Sequence, residues 1–267
     1  GSQGYAGIGV SRYLTSYGMP GYSFFNTRTH LDGALPTNIS ADQTRWTAEA
    51  QYQPNNNWLD NIKMQLAYTD AENRELLAHH VVSSIDSRST QLRIEFNHKI
   101  GTLIRGSAGL DWRRRHTSGD GADRLMPNTQ THSHGFFILE KLKYKNWEAE
   151  LGGWVGRVSH TPNFTGFKPA RNYGGSHENR TYQFSLSSGQ AALFWKPFDA
   201  WRIGIRRNRS QRAPDINELF AGNLHFATFA NENGDTNLEK ETAKTWELSN
   251  EFKWKKSALK ANYYYTA

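Results

Sequence analysis

Trp246-Glu247-Leu248-Ser249-Asn250-Glu251-Phe252-Lys253-Trp254, then Lys255-Lys256, then Ser257-Ala258-Leu259-Lys260-Ala261-Asn262-Tyr263-Tyr264-Tyr265, is the stretch that decides the fold class. In its first half Trp246, Leu248, Phe252 and Trp254 alternate with Glu247, Glu251 and Lys253. In its second half Leu259, Ala261, Tyr263 and Tyr265 alternate with Lys260, Asn262 and Tyr264. Side chains on extended backbone point to opposite faces in turn, so this period gives two strands that are greasy on one side and charged on the other. Lys255 to Ser257 between them reads as a short turn.

The same period recurs along almost the whole chain. Trp46, Ala48, Ala50 and Tyr52 share a face against Arg45, Thr47, Glu49 and Gln51, and Ile62, Met64, Leu66 and Tyr68 oppose Lys63, Gln65 and Thr69. Leu92, Ile94 and Phe96 oppose Arg93 and Glu95; Ala108, Leu110 and Trp112 oppose Ser107, Asp111 and Arg113. Leu151 and Val155 follow Glu148 and Glu150, and Trp201, Ile203 and Ile205 oppose Arg202 and Arg206. With Gly4 to Tyr13, Gly135 to Tyr144 and Tyr182 to Trp195 the count comes to about eleven strands of about ten residues, the length a tilted strand needs to cross a bilayer and about twice that of an average soluble strand. The expectation is an all-β, antiparallel transmembrane barrel wall formed by residues 1–267 as one domain, with the apolar face toward lipid and the charged face toward water.

Composition agrees. Among 267 residues there are 23 glycines, 9 tryptophans, 12 tyrosines and 14 phenylalanines, a balance that suits strands and tight turns. Mean hydropathy is −0.76 and the longest apolar runs, such as Phe136 to Leu139, are far too short for a spanning helix, yet an alternating barrel averages out to that kind of value. Aromatic residues gather at strand ends (Tyr52, Trp58, Trp112, Tyr144, Trp147, Trp195, Trp201, Trp254), as they do at a membrane interface. The net charge of +7 would suit nucleic acid, but acidic and basic residues share the polar faces and form no basic stripe, so no nucleic-acid partner is expected. Cysteine is absent, which excludes a disulfide framework without fixing a compartment. No G-x-S-x-G, H-E-x-x-H or P-loop occurs, so no enzyme is expected.

Connections alternate in length. Short turns are read at 53–59, 99–101, 145–146, 196–200 and 255–257, and long polar loops at 14–43, 71–87, 116–133, 159–181 and 211–244. In bacterial barrels the short turns face the periplasm and the long loops face outward, where ligands arrive.

Within the last long loop, Arg212-Ala213-Pro214-Asp215-Ile216-Asn217-Glu218-Leu219-Phe220 leads to His225-Phe226-Ala227-Thr228 and Gly234-Asp235-Thr236-Asn237-Leu238-Glu239-Lys240-Glu241-Thr242. Pro214 lacks an N–H and ends strand pairing, while Asp215 with Glu218 has the spacing of a helix-capping pair over Ile216, Leu219 and Phe220, a lid-like element at the lumen mouth. Arg212 either neutralises lumen carboxylates or meets a ligand. Ten histidines are present, most of them in loops or at loop edges on this reading. His132 and His134 point to the same side of an extended chain, a spacing that can offer two imidazoles to zinc with Asp120 or Asp123 nearby. Arg113-Arg114-Arg115 with Arg206, Arg207 and Arg209 either counter lumen carboxylates and lipopolysaccharide phosphates or form a mouth for a ferric siderophore.

The stretch from about Ala191 to Thr266, with Arg212 to Thr242 at its centre, resembles TonB-dependent outer-membrane receptors, in particular the zinc- and haem-receptor subgroup; Ser11 to Gly21 is similar to the start of an external loop there. The resemblance implies a 22-stranded barrel of Gram-negative bacteria, of which about half is represented, plugged by a globular domain whose TonB box engages a TonB-ExbB-ExbD complex. It implies uptake of a scarce nutrient, zinc or haem, with no resident cofactor; ligand contact is expected at His132, His134 and His225, the metal-contacting set, with Arg212, Asp215 and Glu218 shaping the loop. A ferric-siderophore receptor and a passive porin or autotransporter-type barrel are the alternatives. Gly1 to Tyr5 shows no signal peptide, so the chain is expected to be trimmed or to begin within a longer protein.

Overall fold

The computed structural model describes residues 3–24, 35–121, 124–169, 178–225 and 230–267. Eleven antiparallel strands form one sheet in up-and-down order: β1 (Gly4–Phe24), β2 (Leu35–Tyr52), β3 (Leu59–Leu77), β4 (His80–Ile100), β5 (Ile104–Asp120), β6 (Asn128–Tyr144), β7 (Trp147–Asn163), β8 (Tyr182–Phe198), β9 (Trp201–Arg212), β12 (Glu241–Trp254) and β13 (Ser257–Thr266). Between β9 and β12 lie a one-turn helix, α1 (Ile216–Phe220), and a two-residue ladder of β10 (Leu224–His225) with β11 (Ala230–Asn231).

The register places each period-two set on one face, as expected. Trp46 pairs with Tyr68, Leu110 with Phe136 and Ile205 with Leu248, all outward, while Arg206 pairs with Glu247 and Lys141 with Glu150 on the inner side. The outward side chains remain uncovered: Ile8, Leu110, Val155 and Leu248 are all exposed. A soluble protein would bury such a face, and a face of this kind suits hydrocarbon as its solvent. Near the short turns Trp147 stacks on Trp195 at 5.8 Å and Phe198 meets both Trp201 and Phe252, forming an interfacial girdle.

Strand number matches the expectation and strand length does not. β1 has 21 residues, β4 21 and β5, β6, β7 and β8 17 each, against the ten expected. Most of the supposed loops are strand: β3 and β4 are joined only through Ala78 and His79, and the Ser11 to Gly21 segment lies within β1. The reason is physical. Beyond the hydrocarbon the ladder needs no apolar face, so its hydrogen bonds continue with polar side chains on both sides and the alternation that marks a strand disappears. The connection between β9 and β12 stays long, close to the expected bounds.

Candidate functional site

At the end bearing the long connections, three of them share one apolar cluster. Ile216, Leu219, Phe220 and Ala221 pack with Leu125 and Met126 from the β5–β6 connection and with Phe164, Phe167 and Tyr182 from the β7–β8 side. Leu219 and Phe220 are 0% exposed. The Phe220 ring meets Tyr182 edge-on at 5.2 Å and Phe164 at 6.0 Å. Backbone bonds stitch the same connections together: Gly222 N–H donates to Leu125 O at 2.9 Å, and the Asn223 side-chain amide donates to Arg124 O at 2.6 Å and to Lys168 O at 3.2 Å.

The helical turn at the centre forms for the local reason read from Asp215 and Glu218. The Asp215 carboxylate accepts from the Ile216 N–H at 2.6 Å and also from the Glu218 N–H, the Glu218 carboxylate accepts from the Asp215 N–H at 2.7 Å, and the reciprocal Asp215–Glu218 bonds make a capping box. Arg212 clamps it, donating to both Glu218 oxygens at 2.8 Å and to Glu241 at 3.0 Å, so it ties the end of β9 to α1 and to the start of β12. The Arg212 hydrogen bonds, with the Asp215 N–H, hold the Glu218 carboxyl below the usual carboxylate range. Gly234 is tight against this turn: a Cβ there would stand 2.5 Å from Leu219 C and Phe220 N. Beneath it, His160 is 3% exposed and shares a hydrogen bond between its Nδ1 and Thr131 Oγ1 at 2.9 Å, and Arg115 reaches Asp215 at 3.4 Å.

The same connection reaches across the mouth. His225 lies 2.8 Å from Glu75 of β3 through Nε2 and 2.6 Å from Glu232 through Nδ1. The Glu75 and Glu232 carboxylates outweigh partial burial and push the His225 imidazole up to about 9. Its folded value exceeds the ordinary histidine value, so its contribution to the strap is complete below about pH 6.5 and is lost as pH rises through about 9. Limited proteolysis of the 213–240 connection is therefore expected to accelerate between pH 7 and pH 10. His225→Gln should show the fast cleavage at both; a wild-type rate flat across that range would refute the strap.

The inner wall divides into two electrostatic regions. Toward the short turns Glu148 takes Lys141 at 2.8 Å and Arg202 at 3.2 Å, and Glu150 takes Lys141 at 3.1 Å and Arg206 at 3.3 Å. Arg202 also lies over the Phe194 ring at 3.6 Å. On β2 and β5 two acids are engaged by neutral donors instead: Asp111 accepts from Trp154 Nε1 at 3.0 Å, and Glu49 accepts from Gln65 at 2.8 Å and from the Tyr5 hydroxyl. Among the described residues Arg45 and Arg113 have no carboxylate within ion-pair distance, although both line an inner recess of about 640 Å³ together with Glu49, Arg93 and Asp111. Arg93 pairs with Glu95 at 3.1 Å and lies over the Phe137 ring at 4.0 Å.

The residues singled out in the sequence do not form one site. Arg212, Asp215 and Glu218 come together at α1, and His225 lies on the same connection. His132 and His134 share a face as expected but sit within β6, on its outward side, and not in a loop; the polar continuation of the strand had the composition of a loop. Asp123, His30 and His177 lie outside the described residues. Among the described residues no group of three His, Asp, Glu or Cys side chains is placed to hold a metal ion. The arginine clusters split by parity: Arg113, Arg115 and Arg206 face inward, and Arg114, Arg207 and Arg209 face outward. His160 and Glu75 gave no local signal, since their partners are distant in sequence.

The fold has known counterparts. The family described as TonB dependent receptor-like, beta-barrel, matches residues 2–267. The FrpB iron transporter from Neisseria meningitidis superposes with a TM-score of 0.71 at 10% identity, over 99% of this chain and 43% of that one. The siderophore receptor PiuA from Acinetobacter baumannii gives 0.65 at 11% identity over 97% and 47%, and the copper transporter OprC gives 0.65 at 13% over 86% and 42%. The chain thus spans less than half the length of these receptors, and at such identities the likeness is one of fold. Matched by its family over nearly every residue, the chain belongs to the TonB-dependent receptor β-barrels, a family of the outer membrane.

Proposed function

We propose that this barrel wall serves a receptor that captures a transition metal in an anionic chelate at its outer mouth and passes it inward. Import would be energised through a plug and TonB box coupled to TonB-ExbB-ExbD. The observation that carries the reading is the pair Arg45 and Arg113, whose neighbouring acids Glu49 and Asp111 are engaged by neutral donors. That leaves the two guanidinium groups in the recess without an internal carboxylate partner, and such groups can take up an anion. Fixed guanidinium groups also match carboxylate or catecholate oxygens.

Zinc and haem, the cargoes the zinc- and haem-receptor likeness suggests, have less behind them. His132 and His134 face outward from β6, and both ring nitrogens of His225 already meet carboxylates, so neither set offers a free ligand to a metal or haem iron. The neighbours whose names specify copper, iron and siderophore transport agree with the class without choosing a member.

In the full-length receptor, Arg45→Gln with Arg113→Gln is expected to lower uptake of a ferric siderophore by about tenfold or more while detergent-resistant folding is kept, since each desolvated charge contact is worth on the order of 1.5–3 kcal/mol. Saturable, high-affinity binding of free zinc with no binding of ferric chelates would replace this reading with the zinc one.

A further inference from the structure

We propose that the wall is divided by a hinged seam between β8 and β9, which parts above the Gly189–Arg209 rung and swings β9, α1 and β12 away from β8, opening the mouth sideways. The proposal holds whatever the cargo.

The ladder gives the geometry. β8 and β9 pair as far as Gly189 with Arg209, yet β8 reaches to Tyr182 and β9 to Arg212. Continuing the same register would set Ser188, Ser187 and Leu186 opposite Ser210, Gln211 and Arg212, and among the described residues no backbone bond joins them. Side chains take those places. Gln211 Oε1 accepts from the Ser187 N–H at 2.9 Å, Arg209 donates to Ser187 O at 3.3 Å and Lys240 donates to Ser185 O at 2.9 Å, while the Gln211 N–H donates to Ser188 Oγ at 3.1 Å. On their other sides both strands keep their ladders, β8 with β7 up to the Tyr182–His160 pair and β9 with β12 up to the Arg212–Glu241 pair. Two continuous flanks therefore meet at a joint made by side chains.

The height of the joint explains why it can exist. Below it the outward residues Leu193 and Ile205 are paired, and a backbone group left open at that level would face hydrocarbon, where nothing could satisfy it. Above the last rung the outward residues are Ser187 and Ser185 on β8 and Gln211 on β9, so an opened edge meets water. The cap closes over the same joint. Ile216, Leu219 and Phe220 belong to the β9 flank, whereas Phe164 and Tyr182 belong to the other, and Arg212 ties α1 to β9 and β12 so that the turn moves with its flank. Parting the seam uncovers an inner recess of about 500 Å³ at the last rung, lined by Phe137, Trp154, Ser188, Gln190, Asn208 and Thr245.

The test is hydrogen exchange on the full-length receptor in nanodiscs. By register Ser187 stands level with Val155 and Phe136. Its amide and that of Gln211 should exchange on the order of a hundredfold faster than those of Val155 and Phe136, because side chains and not a ladder hold them. Oxidising Ser188→Cys/Ser210→Cys to a disulfide should bring both down to the Val155 rate and slow Gly222, whose N–H crosses the seam to Leu125, by about tenfold. Ser187 and Gln211 amides as slow as that of Val155 in the unmodified receptor overturn the seam. A disulfide that slows these two and leaves Gly222 unchanged reduces the joint to local fraying and overturns the hinge. If the cysteine variant does not fold or cross-link, Gln211→Ala decides: it should quicken Gly222 by about tenfold, and an unchanged Gly222 overturns the hinge.

Discussion

Phe220→Ala should open the outer cap while leaving the strand ladders in place. Phe220 is fully buried among Tyr182, Phe164 and Leu125, from segments that meet in this one buried cluster among the described residues, and truncating a buried phenylalanine typically costs about 3–5 kcal/mol. That loss falls on a local unit and not on the barrel wall, so it should be read in local opening. The amides of Gly222, Gly234 and Asp235 donate to Leu125, Ala221 and Glu218 and report the cap directly. Their hydrogen exchange is expected to quicken by about a hundredfold, the equivalent of roughly 3 kcal/mol, with β6 and β7 amides unchanged. Phe220→Leu should fall between. Unchanged exchange at these three amides would show that the three connections are held by something other than this side chain.

The second large effect is expected inside the barrel. Glu148 has an 11% exposed side chain and lies between Lys141, Lys143 and Arg202. Glu148→Ala leaves three cations, 32% to 63% exposed, around a vacated position, and losing the charged hydrogen-bond partner they share costs about 1.5–3 kcal/mol. Urea unfolding of the receptor in detergent should shift by that amount. Glu148→Ala/Arg202→Ala should recover part of it, because the partner charge goes too. A double variant no more stable than Glu148→Ala would mean the repulsion is relieved by water, and the cluster's role is smaller than its burial suggests.

Face assignment was legible from residues such as Trp246, Glu247 and Leu248 because a period of two needs only local chain geometry. The α1 turn was legible at Asp215 and Glu218 for the same reason. Strand length was not, because once a strand leaves hydrocarbon its side chains lose the constraint that made it recognisable; that is why His132 and His134 read as loop residues. The contacts of His225 with Glu75 and of Phe220 with Phe164 could not be read at all, since each joins segments far apart along the chain, and that of Thr131 with His160 needed the exact β6–β7 register. The arginine triplet Arg113-Arg114-Arg115 shows both sides of this: its composition suggested one site, while parity sends its middle member out and the other two in.

The up-and-down strand order also bears on how the wall is assembled. Within the eleven-stranded sheet every strand pairs with the member next to it along the chain, and the longest interval between members lies between β9 and β12. The entropic penalty for closing a flexible segment grows only with the logarithm of its length, yet it is still greatest at that interval. Propagation by successive hairpins should therefore run readily as far as β9 and pause there. The capping box and the Arg212 clamp shorten the effective span of that interval by fixing its first turn against both flanking strands, so the segment that shapes the mouth also helps the next hairpin find its register.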